Sequence, residues 1–432
     1  MRIVVLRGRR RKPSLTYLLI AINLALYLFT SLSNLFVETS SDWIDTLAYV
    51  PTLSRYPRQW YRIFASMFTH ADFLHVFFNM YFLYIFGRGV EIRLGGARYL
   101  LLYMLSGLGA IAFYTAFLPV SGSLGLVIPT VGASGAISGI LASHMLLYPG
   151  RKLAAWVFPL PPVIVSSSYY LLLWFAMQVG YGYARFETGT AFFAHVGGFV
   201  TGIFLLYLLL RRTRRYRIEA AGLGAPTKII LSLLILSIVA GAVYSCLTTK
   251  RLSGVYLFQI QTTRNNHICQ DQAVYTALEN KTVAPSLGDP RVVFNRIVWA
   301  KLLQYEPSYT NDNFKITTTV LAPNWILPLN LTMEGSIRYD SFRVLEFFEG
   351  RVITDVILTD QFGGVRGIQS DIEYLVSISS KEVAGDMGTT VIMPLAVVSA
   401  IIALGSLAVT IVKSDELATR ELEPEDLSLV PI

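Results

Sequence analysis

Eight long apolar runs dominate this chain, at about 15–32, 70–87, 98–118, 134–148, 162–180, 190–210, 228–247 and 391–412. Most approach the roughly 20 residues a helix needs to cross a hydrocarbon core. Within a bilayer, backbone N–H and C=O groups must find partners inside their own segment, so such runs are constrained to be helices. Composition agrees: 53% of the 432 residues are hydrophobic and 15% are charged, with mean hydropathy +0.52. Average proteins carry about 25% charge. The sequence is therefore that of a polytopic α-helical membrane protein.

The net charge of +8 would suit nucleic acid, but its distribution does not. The basic runs, Arg7 to Lys12 and Arg211 to Arg217, flank apolar runs. Lys and Arg in such places mark the cytoplasmic side. The partner implied is the lipid bilayer, with no nucleic acid. Arg88, Arg93 and Arg98 in the 88–98 loop, and Arg151-Lys152, carry the same signal. Eight spans put all of these inside a cell membrane together with both termini, and put 33–69 and 248–390 outside. The first run has no small-residue cleavage site after it, so it reads as a retained span. Cys246 and Cys269 offer no Cys-x-x-Cys, and read as two lone thiols rather than a disulfide framework or a zinc site.

The domain organisation follows. Residues 1–13 form a basic cytoplasmic N-terminus, 14–217 a six-helix core, 218–247 a seventh span, 391–412 an eighth and 413–432 an acidic, disordered tail with Asp415, Glu416, Glu421, Glu423, Glu425 and Asp426. Residues 248–390 have ordinary polarity and alternating stretches, Phe314 to Val320 and Val352 to Leu358, that predict strands. At about 140 residues this segment is large enough for its own core. It reads as an extracytoplasmic strand-rich domain with Asn-x-Thr sequons at Asn280 and Asn330.

Three of the spans carry chemistry. Polar side chains are costly in a bilayer and raise a functional hypothesis there. Ser134 begins the fourth run, within Gly132-Ala-Ser134-Gly135. Residues 134–148 would make a helix of about 22 Å, short of a 30 Å core, so its N-terminus lies within the membrane. Free N–H groups there favour the negative charge that a serine's attack creates. His195 lies on the sixth run, three residues before Gly198, and Gly198 and Gly202 form a stripe. Packed against Gly132, Gly135 and Gly139, that stripe would bring His195 to Ser134 as general base. No carboxylate holds an obvious third position, so the expectation is a dyad. His75 and Asn79, one helical turn apart on the second run, would supply an oxyanion site with the Ser134 amide. His70, nearer the surface, would line a water-filled access path, and His144 has no role.

Other readings of these residues are weaker. Small residues in spans usually mean packing alone. His70, His75 and His195 could bind zinc, but His70 and His75 are five apart on one run and no His-Glu-x-x-His motif exists, so no metal or other cofactor is expected. A transporter would need paired acidic residues within spans, which are missing.

Together these motifs resemble the rhomboid family of intramembrane serine proteases, over residues 14–210. His70-x4-His75-x3-Asn79, Gly132-Ala-Ser134-Gly135 and Ala194-His195-x2-Gly198-x3-Gly202 occur in the family's order. Trp60-Tyr61-Arg62 is similar to the family's Trp-Arg element with one residue inserted, and Gly87-Arg88-Gly-Val-Glu91 to its Gly-Arg-x-x-Glu pattern. The resemblance implies Ser134 as nucleophile, His195 as base, and His75, Asn79 and the Ser134 amide as the oxyanion site. It implies Trp60, Arg62, Arg88 and Glu91 as supporting residues, and a six-helix bundle with a water-filled cavity. It implies cleavage of transmembrane or juxtamembrane segments of other membrane proteins, without a cofactor. Many bacterial members carry a tyrosine stacked on the histidine four residues after the serine, where this chain has Ser138. An aromatic from another span is expected instead. Catalytically silent relatives that bind membrane clients are the alternative, and these lack the serine, the histidine or both. Cuts are expected near the outer end of a substrate span, beside small and helix-breaking residues. By topology, the outer domain is expected either to recruit substrates or restrict access, or to be an independent binding module that shares the chain.

Overall fold

The computed structural model describes residues 12–126, 128–155, 163–186, 188–210, 222–249, 255–265, 267–276, 281–283, 298, 302, 311–321, 328–339, 345–359, 365–382 and 387–418. The basic residues 7–11 and 211–217, the sequon Asn280 and the acidic tail from 419 lie outside these. The chain divides into two units, Met1–Thr249 with Thr389–Ile432, and Lys250–Gly388.

The first unit is helical. Its main helices are α1 (Ser14–Thr30), α2 (Phe73–Leu94), α3 (Gly96–Ala116), α4 (Ser134–Leu147), α5 (Ser167–Tyr183), α6 (Phe192–Leu210), α7 (Ala225–Thr248) and α8 (Gly388–Leu417). Five of these, α2, α3, α6, α7 and α8, are long and apolar enough to cross a membrane. α1 and α4 are apolar but shorter. α4 is the hub: every residue from Gly135 to Leu147 is buried. It packs between α3 and α6, and those two also pack on each other. α7 and α8 pair, and α8 packs on α3 and α6.

Several boundaries differ from the sequence reading, each for a local reason. α2 begins at Phe73 rather than 70, because the Asp72 carboxylate accepts the His75 N–H at 2.9 Å and caps the helix. It continues beyond 87 through a wider turn at Leu83–Gly87 to Leu94, so Arg88 and Glu91 sit on the helix rather than in a loop. α5 begins at Ser167, because Val163–Ser166 pairs antiparallel with Lys152–Ala155. The β-branched Val163, Ile164 and Val165 favour that extended hairpin. α8 runs on to Leu417, where Asp415 pairs with Lys228 of α7. That part of the acidic tail is helix.

The second unit is the strand-rich domain. Its seven-stranded antiparallel sheet contains β3 (Val255–Arg264), β4 (His267–Thr276), β5 (Lys281–Val283), β6 (Asn311–Leu321), β7 (Pro328–Tyr339), β8 (Leu345–Thr359) and β9 (Val365–Glu382), in the order β5-β4-β3-β9-β8-β7-β6, with the 152–155 and 163–166 strands counted as β1 and β2. Both alternating stretches lie in strands, β6 and β8. Alternate residues fill one face: Tyr256, Phe258 and Ile260 on β3, Leu331 and Met333 on β7, and Val376 and Ile378 on β9, joined by Val298 and Leu302. On the sheet's exposed side, Lys315, Glu334, Arg351 and Glu373 form a cross-strand ladder of charge.

Candidate active site

The small residues of α4 and α6 let their backbones touch. A Cβ built on Gly198 would lie 1.9 Å from the Gly135 carbonyl oxygen, and one on Gly202 would lie 2.4 Å from Gly139 Cα. Gly135 in turn faces Ala110 of α3, and Gly139 faces Ser106. α3 therefore belongs to the same small-residue contact, and its signal in the sequence is the run Ser106, Gly107, Gly109 and Ala110.

This packing sets Ser134 Oγ 2.8 Å from His195 Nε2. On the far side of the ring, His195 Nδ1 lies 2.8 Å from the Gln178 carboxamide oxygen. That oxygen can only accept, so Nδ1 carries the proton and Nε2 offers its lone pair to the Ser134 hydroxyl. Trp174, one turn before Gln178 on α5, lies 5.9 Å from the imidazole at an interplanar angle of 33°. An aromatic from another span thus flanks the histidine. Ser138 is buried and donates to the Ser134 carbonyl at 2.6 Å.

The loop before Ser134 is held from several sides. Gly132 N–H donates to Ser66 O at 2.8 Å, and Tyr49 and Thr130 exchange backbone bonds of 3.0 and 2.8 Å. Gly132 has φ +126°, a left-handed geometry that suits glycine. A Cβ there would stand 2.6 Å from His75 Nε2 and 3.5 Å from Ser134 Oγ, so the imidazole and the hydroxyl face one small space. Ala71 N–H donates to His75 Nδ1 at 3.5 Å, which leaves Nε2 as the protonated, donating nitrogen toward that space. Asn79 is buried on the same helix and donates to His75 O at 2.8 Å. The first-turn N–H groups of α4 have no intrahelical partner, so the Ser134 amide is a further donor.

The remaining predicted residues lie further off. His70 does not line an access path: it is fully buried, and its Nε2 accepts the Ala133 N–H at 3.5 Å. Its position before the Asp72 cap, rather than on the helix, turns it inward. Arg62 is buried in the 33–69 loop, donating to Gln59 Oε1 at 2.6 Å and Ala48 O at 3.0 Å, and Trp60 donates to Ser54 O at 2.7 Å. Arg88 stays on its own helix, over the Tyr84 ring and 3.0 Å from Tyr84 O. Glu91 reaches α1, accepting Leu15 N–H at 2.9 Å and Thr16 N–H and Oγ1 at 2.7 Å each. It caps that helix from a distance of 76 residues. Gln178 and Trp174 were missed, although a glutamine inside an apolar run is itself a signal. His144 is buried against Phe86 and 3.5 Å from Arg151, away from these groups. Among the described residues, no cluster of three or more His, Cys, Asp or Glu could hold a metal ion.

The rhomboid domain family model matches residues 57–212. The chain is 31% identical over 209 residues to the rhomboid YdcA of Bacillus subtilis (strain 168), covering 48% of this chain and 94% of that one. The chain belongs to the rhomboid family. It is also 26% identical over 281 residues to the rhomboid protease AarA of Providencia stuartii, covering 61% of this chain and 91% of AarA. With the mitochondrial rhomboid protein 1 of Saccharomyces cerevisiae (strain ATCC 204508 / S288c) it shares 27% identity over 212 residues, 48% of this chain and 58% of the yeast protein. Of that protein and of other curated relatives, this rhomboid spans about half the length. It is a membrane-embedded, multi-pass member of the family.

Proposed function

We propose that this rhomboid is an intramembrane serine endopeptidase that cleaves transmembrane or juxtamembrane segments of membrane proteins. The observation that carries the reading is the 2.8 Å contact of Ser134 Oγ with His195 Nε2, at the N-terminus of a 14-residue helix. At about 1.5 Å per residue such a helix covers some 21 Å of a 30 Å core, so Ser134 lies below the membrane surface.

The chemistry follows from the donors and acceptors. Ser134 Oγ attacks the scissile carbonyl carbon as its proton passes to His195 Nε2. The carbonyl oxygen becomes an oxyanion, met by His75 Nε2–H, the Asn79 amide and the Ser134 N–H, each worth a few kcal/mol. The C–N bond breaks, and His195 returns its proton to the leaving amine. Water, deprotonated by His195, attacks the acyl-serine ester; collapse returns the proton to Ser134 and frees the acid. Every step balances: the imidazolium of His195 offsets the oxyanion on the substrate, and the groups named here with one water suffice.

We place all eight helices in the membrane, in a cell membrane with both termini cytoplasmic and the site opening to the outside. The strand-rich domain is then extracytoplasmic, and either recruits or restricts substrates or acts as an independent binding module. Cuts fall near the outer ends of substrate spans, where small and helix-breaking residues let a strand-like segment enter. A silent client-binding role is disfavoured, because both reacting residues are present and in contact. The test is cleavage of a reporter transmembrane substrate in liposomes by the parent, Ser134→Ala and His195→Ala. Loss in both variants, with folding retained, supports the reading; cleavage that survives Ser134→Ala refutes it.

A further inference from the structure

We propose that Gln178 is a positioning residue of this site, and that with Trp174 it makes α5 the element that fixes the orientation and tautomer of His195. The inference rests on the hydrolytic reading above and deepens it.

Helices α5 and α6 are locked in register by Phe175 and Phe199, both fully buried, stacked 4.2 Å apart at 16°. Three residues beyond Phe175 comes Gln178; four residues before Phe199 comes His195. In antiparallel helices those steps lead to the same level, so the Phe stack determines that the carboxamide and the imidazole meet. Gln178 is 8% exposed, and a buried amide is costly unless paired. Its oxygen accepts from Nδ1–H at 2.8 Å.

The consequence is chemical. Without an acceptor on that side, the imidazole is free to protonate at Nε2, which then cannot take the serine proton. Loss of the correct tautomer is damaging in triads for that reason. A neutral carboxamide does this without burying a charge, which a carboxylate in this setting would require. Trp174 blocks rotation of the ring from one side and also lies 6.1 Å from Phe199. Both contacts come from α5 and none from the α4 backbone, so the dyad is complete only with α5 docked on α6.

Two variants of similar length separate positioning from packing. Gln178→Met keeps the volume and loses the acceptor; Gln178→Glu keeps an acceptor oxygen but buries a carboxyl, a cost read in its unfolding temperature rather than in the kcat of the folded fraction. The positioning role predicts that Gln178→Met lowers kcat by about 10- to 100-fold with KM unchanged, while Gln178→Glu retains most activity. A packing role predicts the reverse, since methionine suits an apolar interface better. Cleavage is read beside the rate at which a fluorophosphonate labels Ser134, and folding is checked by thermal unfolding. Nitrogen-15 histidine NMR of the intact protein, assigned with His195→Ala, provides a readout that no variant's misfolding can obscure. The Nδ1–H tautomer at His195 is expected, and the Nε2–H tautomer overturns the proposal. Parent-like kcat in Gln178→Met beside an inactive Ser134→Ala removes the Gln178 role alone. Labelling or cleavage that survives Ser134→Ala removes the protease reading instead.

Discussion

Gly198→Ala adds one methyl group at the closest approach of α4 and α6. A Cβ there would stand 1.9 Å from the Gly135 carbonyl oxygen and 2.8 Å from its carbon. These are backbone atoms, so no side chain can swing aside. Reaching the 3.4 Å of ordinary contact requires the helices to part locally by about 1.5 Å. His195 lies less than one turn away, so most of that shift reaches the imidazole. The Ser134–His195 bond, 2.8 Å in the native packing, opens to about 4 Å. Direct hydrogen bonds end near about 3.2 Å, so proton transfer loses its path. Misplacement by about 1 Å costs on the order of 100-fold in rate, and overpacking costs about 1–3 kcal/mol in stability. The assay is reporter cleavage in liposomes, with thermal unfolding of the same preparations. Gly180→Ala on α5, with nothing within 4 Å of the new methyl, is the control. Gly202→Ala meets Gly139 at 2.4 Å but lies two turns from His195, so it should lose stability with a smaller loss of activity. If Gly198→Ala kept its rate within about threefold of the parent, under 1 kcal/mol of barrier, the argument from packing to chemistry would fail.

Gly132→Ala should abolish cleavage, because the methyl needs φ +126° and sits 2.6 Å from His75 Nε2; a parent-like kcat would remove His75 from the oxyanion space. Glu91→Ala should leave the Leu15 and Thr16 donors unpaired, at about 1–3 kcal/mol each, lowering the unfolding temperature without changing kcat of the folded fraction. An unchanged unfolding temperature would contradict that role. In the strand-rich domain, the Glu334 carboxyl is held below its ordinary value of 4.5, chiefly by the hydrogen bond from Lys315 and then by the charges of Lys315 and Arg351. A depressed carboxyl contributes stability that is full above its ordinary pKa and lost as pH falls through the folded value. The domain's unfolding temperature should therefore carry an acid-side component that Glu334→Gln removes and salt weakens; the same acid profile in Glu334→Gln would disprove the coupling.

Much of the candidate site was legible because membrane chemistry makes polar residues conspicuous. Ser134, His195, His75 and Asn79 stood out against apolar runs, and the Gly198–Gly202 stripe named the helix that packs on α4. The family shows plainly in the same motifs. What stayed hidden depends on tertiary register. Glu91 finds its partners 75 and 76 residues away, and nothing in the spacing of an α2 glutamate points to the start of α1. Gln178 meets His195 only because Phe175 and Phe199 stack. The second run reads as a helix from His70, but Asp72 moves its start to Phe73, and that shift turns His70 from an expected access path into the interior. Of the hairpin, 163–166 reads as part of the 162–180 run, because a short β-branched stretch beside a span reads as more span, while 152–155 falls in the connection before it.

Packing and polar contacts come from different elements, and this separates their energetics. α3, α4 and α6 meet through Ser106, Ala110, Gly135, Gly139, Gly198 and Gly202, where an added atom moves a helix axis. The groups that reach His195 and the proposed oxyanion space from outside that contact sit on α2 and α5. Substitutions in the first set should lose stability and activity together; substitutions in the second should lose activity alone. Gly139→Ala and Gly198→Ala represent the first class, since the methyls would fall 2.0 Å from Ser106 Oγ and 1.9 Å from Gly135 O. His75→Ala and the volume-conserving Gln178→Met represent the second. Plotting unfolding temperature against log kcat/KM should give two groups, with the second losing about 10- to 1,000-fold in rate at near-parent stability. Were all four to fall on one line, the losses at His75 and Gln178 would be losses of folded protein, and neither residue would act on the reacting groups.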